Sequence, residues 1–180
     1  MSNQHAHDQD VTPRIYVACL ASYVNGRLHG VWIDANQDAD DLQAEVDALL
    51  AASPEPGSEE HAIHDFEGFH GIELHEYESL ENVSKLATFI TDHGELGAAV
   101  HAHTGNLDEA IELLENCYQG EWPDLEAWAE DYLEQTGQFA ALPSQLRMYF
   151  DYAAFGRDCQ LNGDLFTVDV GGSTHVFWSR

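Results

Sequence analysis

The stretch CYQGEWPDLEAWAEDYLEQTG, residues 117–137, begins as a short extended segment and continues as an amphipathic helix. After Asp124 the apolar residues recur at i, i+3, i+4, i+7 and i+8, the spacing of one helical face: Leu125, Trp128, Ala129, Tyr132 and Leu133. Gly137 is placed where such a helix ends. The preceding residues, Cys117–Trp122, predict a short strand. A strand that leads directly into a helix indicates an α+β fold.

The residues that follow extend this pattern into a C-terminal α+β module over residues 116–180. Ser144 predicts the start of a second helix, from Gln145 to about Cys159. Leu165–Val170 and Thr174–Trp178 flank a Gly-Gly pair, which predicts a β-hairpin.

The N-terminal part predicts a second α+β module, over residues 13–77, after a flexible polar tail at residues 1–12. Two segments rich in strand formers, Arg14–Tyr23 and Arg27–Asp34, flank Asn25-Gly26 and predict a β-hairpin. The other elements expected here are a helix capped by Asp38 that ends near Ala52, and a third strand, His61–Phe66.

Between these two modules, residues 78–115 predict a central helical module. Ser79 is placed to cap a helix over Leu80–Asp92, which His93-Gly94 interrupts before a second helix, Glu95–His103. Asn106 and Glu109 form a capping-box pattern at the start of Leu107–Glu115. The predicted fold class is therefore α+β, with three small modules in an elongated chain.

The charge of the chain is concentrated in one long segment. The chain has 33 acidic and six basic side chains, a formal net charge of −27. The segment from Leu28 to Leu146 contains one basic residue, Lys85, and 27 acidic residues, so its net charge is −26. Aromatic and aliphatic residues are too abundant for a disordered acidic tail. The acidic segment is therefore folded, and it presents a negative field that selects its partners.

This composition excludes several classes of ligand and location. Phosphate would be repelled and no basic stripe is present, so nucleic acid is not expected as a ligand. No apolar run is long enough for a membrane span and no signal peptide is recognisable, so we expect no membrane partner and a cytoplasmic location. The widely spaced Cys19, Cys117 and Cys159 fit free thiols in a reducing compartment.

An alternative function, a calcium- or metal-binding module, has some support in the sequence. Positions 1, 3, 5, 7 and 12 of a calcium-binding loop are matched by Asp34, Asn36, Asp38, Asp40 and Glu45. Against this, Ala39 occupies the position where the loop needs glycine, and a strand rather than a helix precedes it. Histidine pairs such as His101 and His103 also suggest metal binding, but they diverge on a helix. We therefore expect neither a bound metal ion nor another cofactor.

No sequence motif supports catalysis. The chain has neither a nucleophile elbow nor a phosphate-binding glycine-rich loop, and paired carboxylates are too frequent to identify an active site. We therefore expect a protein that is not an enzyme and has no catalytic residues.

The acids recur on the polar faces of the predicted helices. They are Asp40, Asp41, Glu45 and Asp47, then Glu109, Glu112 and Glu115, then Asp124, Glu126, Glu130, Asp131 and Glu134. A solvated acidic surface and adaptation to salt are two simple explanations, but salt adaptation would also charge the two ends of the chain. A third explanation is that the carboxylates take the place of the phosphates of DNA in binding a partner. At one charge per roughly 1.7 Å of B-DNA axis, the segment would match roughly 44 Å of duplex.

Three long segments resemble the ArdA family of antirestriction proteins. They are RIYVACLASYVNGRLHGVWIDA from Arg14, ELLENCYQGEWPDLEAWAEDYLEQTG from Glu112, and LPSQLRMYFDYAAFGRDCQLNGD from Leu142. The resemblance extends from about Arg14 to Trp178, and the segments occur in the family's order.

The resemblance implies an elongated homodimer that mimics bent B-form DNA and is encoded on a mobile genetic element. It implies binding to the DNA-binding groove of type I restriction–modification enzymes, chiefly the methyltransferase core, with the acids above as the partner-binding residues. The family's antirestriction motif, at or near its dimer interface, is matched by Leu113, Leu114, Glu115, Asn116, Cys117, Tyr118, Gln119, Gly120, Glu121 and Trp122.

Overall fold

The computed structural model describes residues 11–179, apart from the side chain of Ala141. Within these residues seven α-helices accompany two three-stranded antiparallel sheets, which confirms the α+β class. The chain divides into two compact units, Met1–Ala98 and Ala99–Arg180. The division into three modules stays a prediction, and most of the predicted tail at residues 1–12 lies outside the described residues.

The sheet of the first unit has its first strand in the centre. β1 (Arg14–Cys19) pairs on one side with β2 (Gly30–Asp34) and on the other with β3 (His61–Glu67). Both pairings are antiparallel, and Arg14 lies opposite Asp34 on β2 and Glu67 on β3. All three predicted strands are therefore present.

The tight hairpin predicted at Asn25-Gly26 is wrong, because a short helix, α1 (Leu20–Val24), leaves the end of β1 before the chain turns. The turn of α1 buries Ser22, whose hydroxyl is hydrogen-bonded to the Ser53 hydroxyl at 3.0 Å. The side-chain amide of Asn25 donates back to the carbonyl of Ala21 and closes α1. The strands predicted by the sequence do pair, but through a longer connection.

Two helices complete the core of the first unit. α2 (Ala39–Ala51) begins after the predicted N-cap, Asp38, and buries Leu42, Val46 and Leu49. The next helix, α3 (Leu80–Thr104), buries Val83, Ala87 and Ile90 in its first half. The predicted interruption is present as a kink, because Gly94 has a non-helical backbone with φ of 54°.

The second unit contains residues 117–137, the segment that was predicted to form a strand followed by a helix. α4 (Leu107–Asn116) leads into β4 (Tyr118–Trp122), and β4 into α5 (Leu125–Gln135), as predicted. The predicted hairpin is also confirmed, as β5 (Leu165–Val170) and β6 (Ser173–Trp178). β6 is central in this sheet, so β4 and β5 are its edges among the described residues.

The single helix predicted over Gln145–Cys159 is wrong, because the chain forms two helices there. α6 (Ser144–Arg147) stops early, and α7 (Tyr152–Leu161) starts after Asp151, whose carboxylate accepts from the backbone N–H of Ala154 at 2.8 Å. Between them the ring of Phe150 packs edge-on against Phe139, with ring centroids 5.2 Å apart. A side-chain cap and an aromatic contact thus override the helical periodicity.

The core of the second unit joins α5 and α7 to the sheet. Trp128 and Ala129 of α5 are buried against Leu165 and Val176 of the hairpin. Gly156 of α7 allows a close approach to α5, since a β-carbon there would lie 2.9 Å from the carbonyl oxygen of Leu125. This packing fixes the buried face of α5 and leaves its opposite face to solvent. Among the described helices, none is both long and apolar enough to cross a membrane.

Candidate partner-binding surface

The acidic side chains of α2 form an exposed row on the first unit. All four predicted partner-binding acids of this helix are exposed: Asp40, Asp41, Glu45 and Asp47. Two of them are oriented by neutral amides. The side chain of Gln37 donates to Glu45, and that of Gln43 donates to Asp47, each at 2.8 Å. A glutamine amide fixes the position of a carboxylate without cancelling its charge.

The second unit carries the remaining eight acids on α4, on α5 and at the N-cap of α5. Seven are exposed and Asp131 is half-buried: Glu109, Glu112, Glu115, Asp124, Glu126, Glu130, Asp131 and Glu134. The carboxylate of Asp124 accepts from the backbone N–H of Ala127 at 2.8 Å and thereby starts α5. Gln135 donates to Asp131 at 2.8 Å, the same neutral support as on α2.

Three cations of the first unit form ion pairs with acids outside the predicted set. Arg14 pairs with Glu67 at 3.4 Å, and Arg27 pairs with Glu55 at 3.2 Å. Lys85 pairs with Glu81 at 3.0 Å, one turn away on α3. None of these three acids belongs to the predicted partner-binding set.

The field of α5 extends to the neighbouring helix, α7. Burial raises the pKa of the Tyr152 hydroxyl, and the carboxylates of Glu130 and Glu134 raise it further. Both carboxylates therefore stabilise the neutral form of the Tyr152 phenol on α7. The positive charge of Arg147 acts in the opposite direction.

The segment that matches the antirestriction motif connects α4 to the sheet. Cys117 follows the last turn of α4, where its N–H donates to the carbonyl of Leu113 at 2.9 Å. The carbonyl of Cys117 in turn accepts from the N–H of Trp178 on β6, also at 2.9 Å. Leu113 and Cys117 are both buried. The first half of this segment therefore joins a helix to a strand.

A β-bulge shapes the second half of the segment. The register between β4 and β6 shifts between Tyr118 and Gly120, and Gly120 has φ of 137°. A β-carbon at Gly120 would lie 3.0 Å from the indole ring of Trp122. Trp122 itself packs against the core of the unit. Glycine is thus required here both by the backbone angle and by the ring beside it.

The hydroxyl of Tyr118 is hydrogen-bonded to Nδ1 of His175 on β6 at 2.8 Å. Burial raises the pKa of Tyr118, and the carboxylate of Glu121 adds to the effect, so the phenol stays protonated and can donate. The ring of Tyr118 also packs on Phe177, which stacks on Phe166 with centroids 5.0 Å apart. Sequence reasoning missed His175 and Phe177, which lie in a run of three consecutive buried residues in β6.

The family model described as antirestriction protein (ArdA) matches residues 15–173. The chain belongs to the ArdA family. No curated protein matches the chain significantly. The matched range covers both units, including α2, α4, α5 and β4. Membership in ArdA supports an antirestriction function and implies an interaction with restriction–modification enzymes.

The structure divides the ArdA chain's predicted binding residues between its two units. The acids of α2 belong to the first unit, whereas those of α4 and α5 belong to the second, together with the motif segment. Within that segment, Gln119 and Glu121 are exposed, and Tyr118, Gly120 and Trp122 are half-buried. Half of the motif, Tyr118–Trp122, therefore builds the sheet of this ArdA unit.

The calcium-loop arrangement is not formed in this ArdA chain. α2 begins at Ala39, the sixth position of the pattern, so Asp40 and Glu45 lie on a helix and do not wrap around a loop. The carboxylate of Asp34 accepts from the N–H of Asn36 at 2.9 Å and forms a local turn. Residues 11–179 bring together no group of three or more potential metal ligands.

The histidine pair considered for metal binding lies on α3, as the sequence predicted. Burial lowers the pKa of His101. The ring of His103 stacks on Phe166 of β5, with centroids 4.4 Å apart and an angle of 4° between the planes. His103 therefore has a packing role on the sheet of the second unit.

Proposed function

We propose that this protein is an antirestriction protein that acts as a DNA mimic. It occupies the DNA-binding groove of type I restriction–modification enzymes, chiefly the methyltransferase core, and so protects incoming DNA from restriction. One observation carries the proposal: the predicted partner-binding acids of α2, α4 and α5 are exposed, apart from the half-buried Asp131. A surface of this kind presents negative charges to a DNA-binding protein, as the phosphates of DNA do.

The proposed mode of action is binding without catalysis. A groove that binds DNA is lined by Lys and Arg, and a rigid array of carboxylates competes for those cations. The carboxylates are fixed on helices, so little ordering is needed when the partner binds. Such an inhibitor needs no substrate, cofactor or metal.

We further propose that the protein acts as a homodimer. The motif segment supports this, because β4 is an edge strand in the described residues and its outer backbone groups are open to pairing. Around a two-fold axis the same edge would serve both copies. A dimer would present twice the length of acidic surface to a long DNA-binding groove.

Competition binding tests the DNA-mimic proposal directly. A type I methyltransferase core should bind the protein at 50 mM salt, and affinity should fall steeply towards 200 mM because ion pairs are screened. An unlabelled DNA duplex that carries the recognition site should displace the protein in full. Simultaneous binding of duplex and protein would refute the proposal.

A further inference from the structure

A cavity of about 550 Å³ lies in the second unit and is lined in part by Tyr132 of α5. Its volume is within the range of about 300–1,000 Å³ that is typical of binding pockets. Its lining combines aromatic rings with a single carboxylate and a thiol, and includes Tyr132, Phe155, Cys159, Asp164 and Trp178.

Three aromatic rings form the walls of this cavity. Tyr132 and Trp178 meet edge to face, with centroids 5.4 Å apart and an angle of 68° between the planes. Phe155 lies nearly parallel to Tyr132, with centroids 6.5 Å apart. All three side chains are only partly buried, so their surfaces are accessible from the cavity. The faces of such rings carry partial negative charge and attract cations.

A carboxylate adds a full negative charge to the aromatic walls. Asp164 lines the cavity and is exposed. Burial raises the pKa of the Cys159 thiol, and the carboxylates of Asp164 and Asp158 raise it further. The Asp164 charge therefore acts on the interior of the cavity. Glu130 and Glu134 of α5 act on the same side of α7, at Tyr152.

We propose that this cavity binds the guanidinium group of an arginine side chain from the protein partner. The planar guanidinium can stack on an aromatic face and donate hydrogen bonds to a carboxylate, which matches the two components of the lining. This inference rests on the proposed function, since a DNA-binding groove supplies such arginines. The unit's own Arg147 is engaged elsewhere: it donates to the carbonyls of Leu142 and Ala140.

The pocket can be tested with N-acetyl-arginine amide as the probe. The measurement is the NMR shift of the Trp178 indole N–H during titration at low salt. We expect a saturable shift with the arginine probe, and at least about fivefold weaker binding of the uncharged N-acetyl-citrulline amide.

A matched pair of variants separates a defined pocket from a general field. Asp164→Asn should weaken binding of the arginine probe about fivefold, because it removes the carboxylate of the lining. Asp108→Asn removes the same charge from an exposed residue of the second unit that does not line the cavity and is not among the charges that act on Cys159. We expect that control to change affinity by less than about 1.5-fold. Equal losses in the two variants, or no saturable shift at Trp178, would overturn the proposal.

A second measurement identifies the source of the guanidinium. Asp164→Asn should weaken binding to the methyltransferase core severalfold, and Asp108→Asn should not. If the probe binds but Asp164→Asn leaves enzyme affinity unchanged, the partner does not use the pocket and the proposal is wrong. The proposed function fails separately, if the unaltered protein and duplex DNA bind the enzyme together while the probe still shifts Trp178.

Discussion

The acidic face of α5 and the strand β4 are neighbours in the chain, yet their side chains have different tasks. On α5 the carboxylates of Glu126, Glu130 and Glu134 point to solvent, and each is one of many similar charges. On β4 each half-buried residue has its own partner, such as His175 for Tyr118. The negative charge of α5 is spread over many residues, whereas each packing contact of β4 depends on one particular partner. Changes on β4 should therefore act on stability, and changes on α5 on affinity.

The largest effect is expected at Gly120. Gly120→Ala should lower the free energy of unfolding by about 3 kcal/mol, because the new β-carbon meets the Trp122 ring and the backbone angle is unfavourable for alanine. Urea denaturation followed by Trp fluorescence measures the loss.

Gly137 provides the matched control for that change. Its φ is also positive, at 69°, but nothing lies within 4 Å of a β-carbon there. Gly137→Ala should cost about 1 kcal/mol, the backbone contribution alone. Equal losses at the two glycines would mean that the contact with Trp122 has no energetic role.

The next effect is a loss of affinity on α5. The quadruple variant Glu126→Gln, Glu130→Gln, Asp131→Asn, Glu134→Gln should weaken binding to the methyltransferase core by about 2 kcal/mol, or about 30-fold, at low salt. Folding should be retained, since these side chains lie on the polar face of α5. Isothermal titration calorimetry gives the affinity.

A second quadruple variant has the same net charge but leaves α5 unchanged. It neutralises four exposed acids outside the predicted contact set: Glu59, Glu60, Glu73 and Asp92. We expect a loss of less than about threefold, because charges beyond a Debye length are largely screened. If both variants lose affinity equally, binding follows total charge and the face of α5 has no special part.

A smaller effect is expected when the hydroxyl of Tyr118 is removed. Tyr118→Phe should destabilise the protein by about 1 kcal/mol, since Nδ1 of the buried His175 loses its hydrogen-bond partner. Tyr149→Phe is the control, because that side chain is 79% exposed and should tolerate the change. Affinity per folded molecule should be the same in both; a loss in Tyr118→Phe alone would place this hydroxyl in the binding surface.

The smallest effect is expected for a single carboxylate of α5. Glu130→Gln relieves like-charge contacts with Glu126 and Glu134, and should stabilise the protein by about 0.5 kcal/mol at low salt. Affinity for the enzyme should fall less than about twofold, because many other acids remain. Thermal unfolding in 1 M salt should remove the gain in stability, and a gain that persists there would exclude an electrostatic cause.

Local pattern predicted much of the fold, and it failed where distant residues compete. The strand, helix and caps between Tyr118 and Gln135 depend on neighbours in sequence, so they were predicted correctly. The helix expected over Gln145–Cys159 also has local periodicity, but the contact between Phe139 and Phe150 and the cap at Asp151 divide it. At Asn25-Gly26 the chain does turn, but the direct hairpin was wrong because α1 intervenes, and its Ser22 is hydrogen-bonded to Ser53, 31 residues away in the chain.

The candidate site likewise has some features that the sequence predicted and others that only the structure shows. The sequence by itself determined the net charge, the helices that carry the acids and membership in the ArdA family, because these depend on composition, periodicity and matched residues. Only the tertiary structure decided that Gly120 lies against Trp122, that Tyr118 reaches His175, and that three aromatic rings enclose a cavity with Asp164. The physical reason is that hydrogen bonds and ring contacts act over a few ångströms. Most of these partners are far apart in the chain, so only folding brings them within that range.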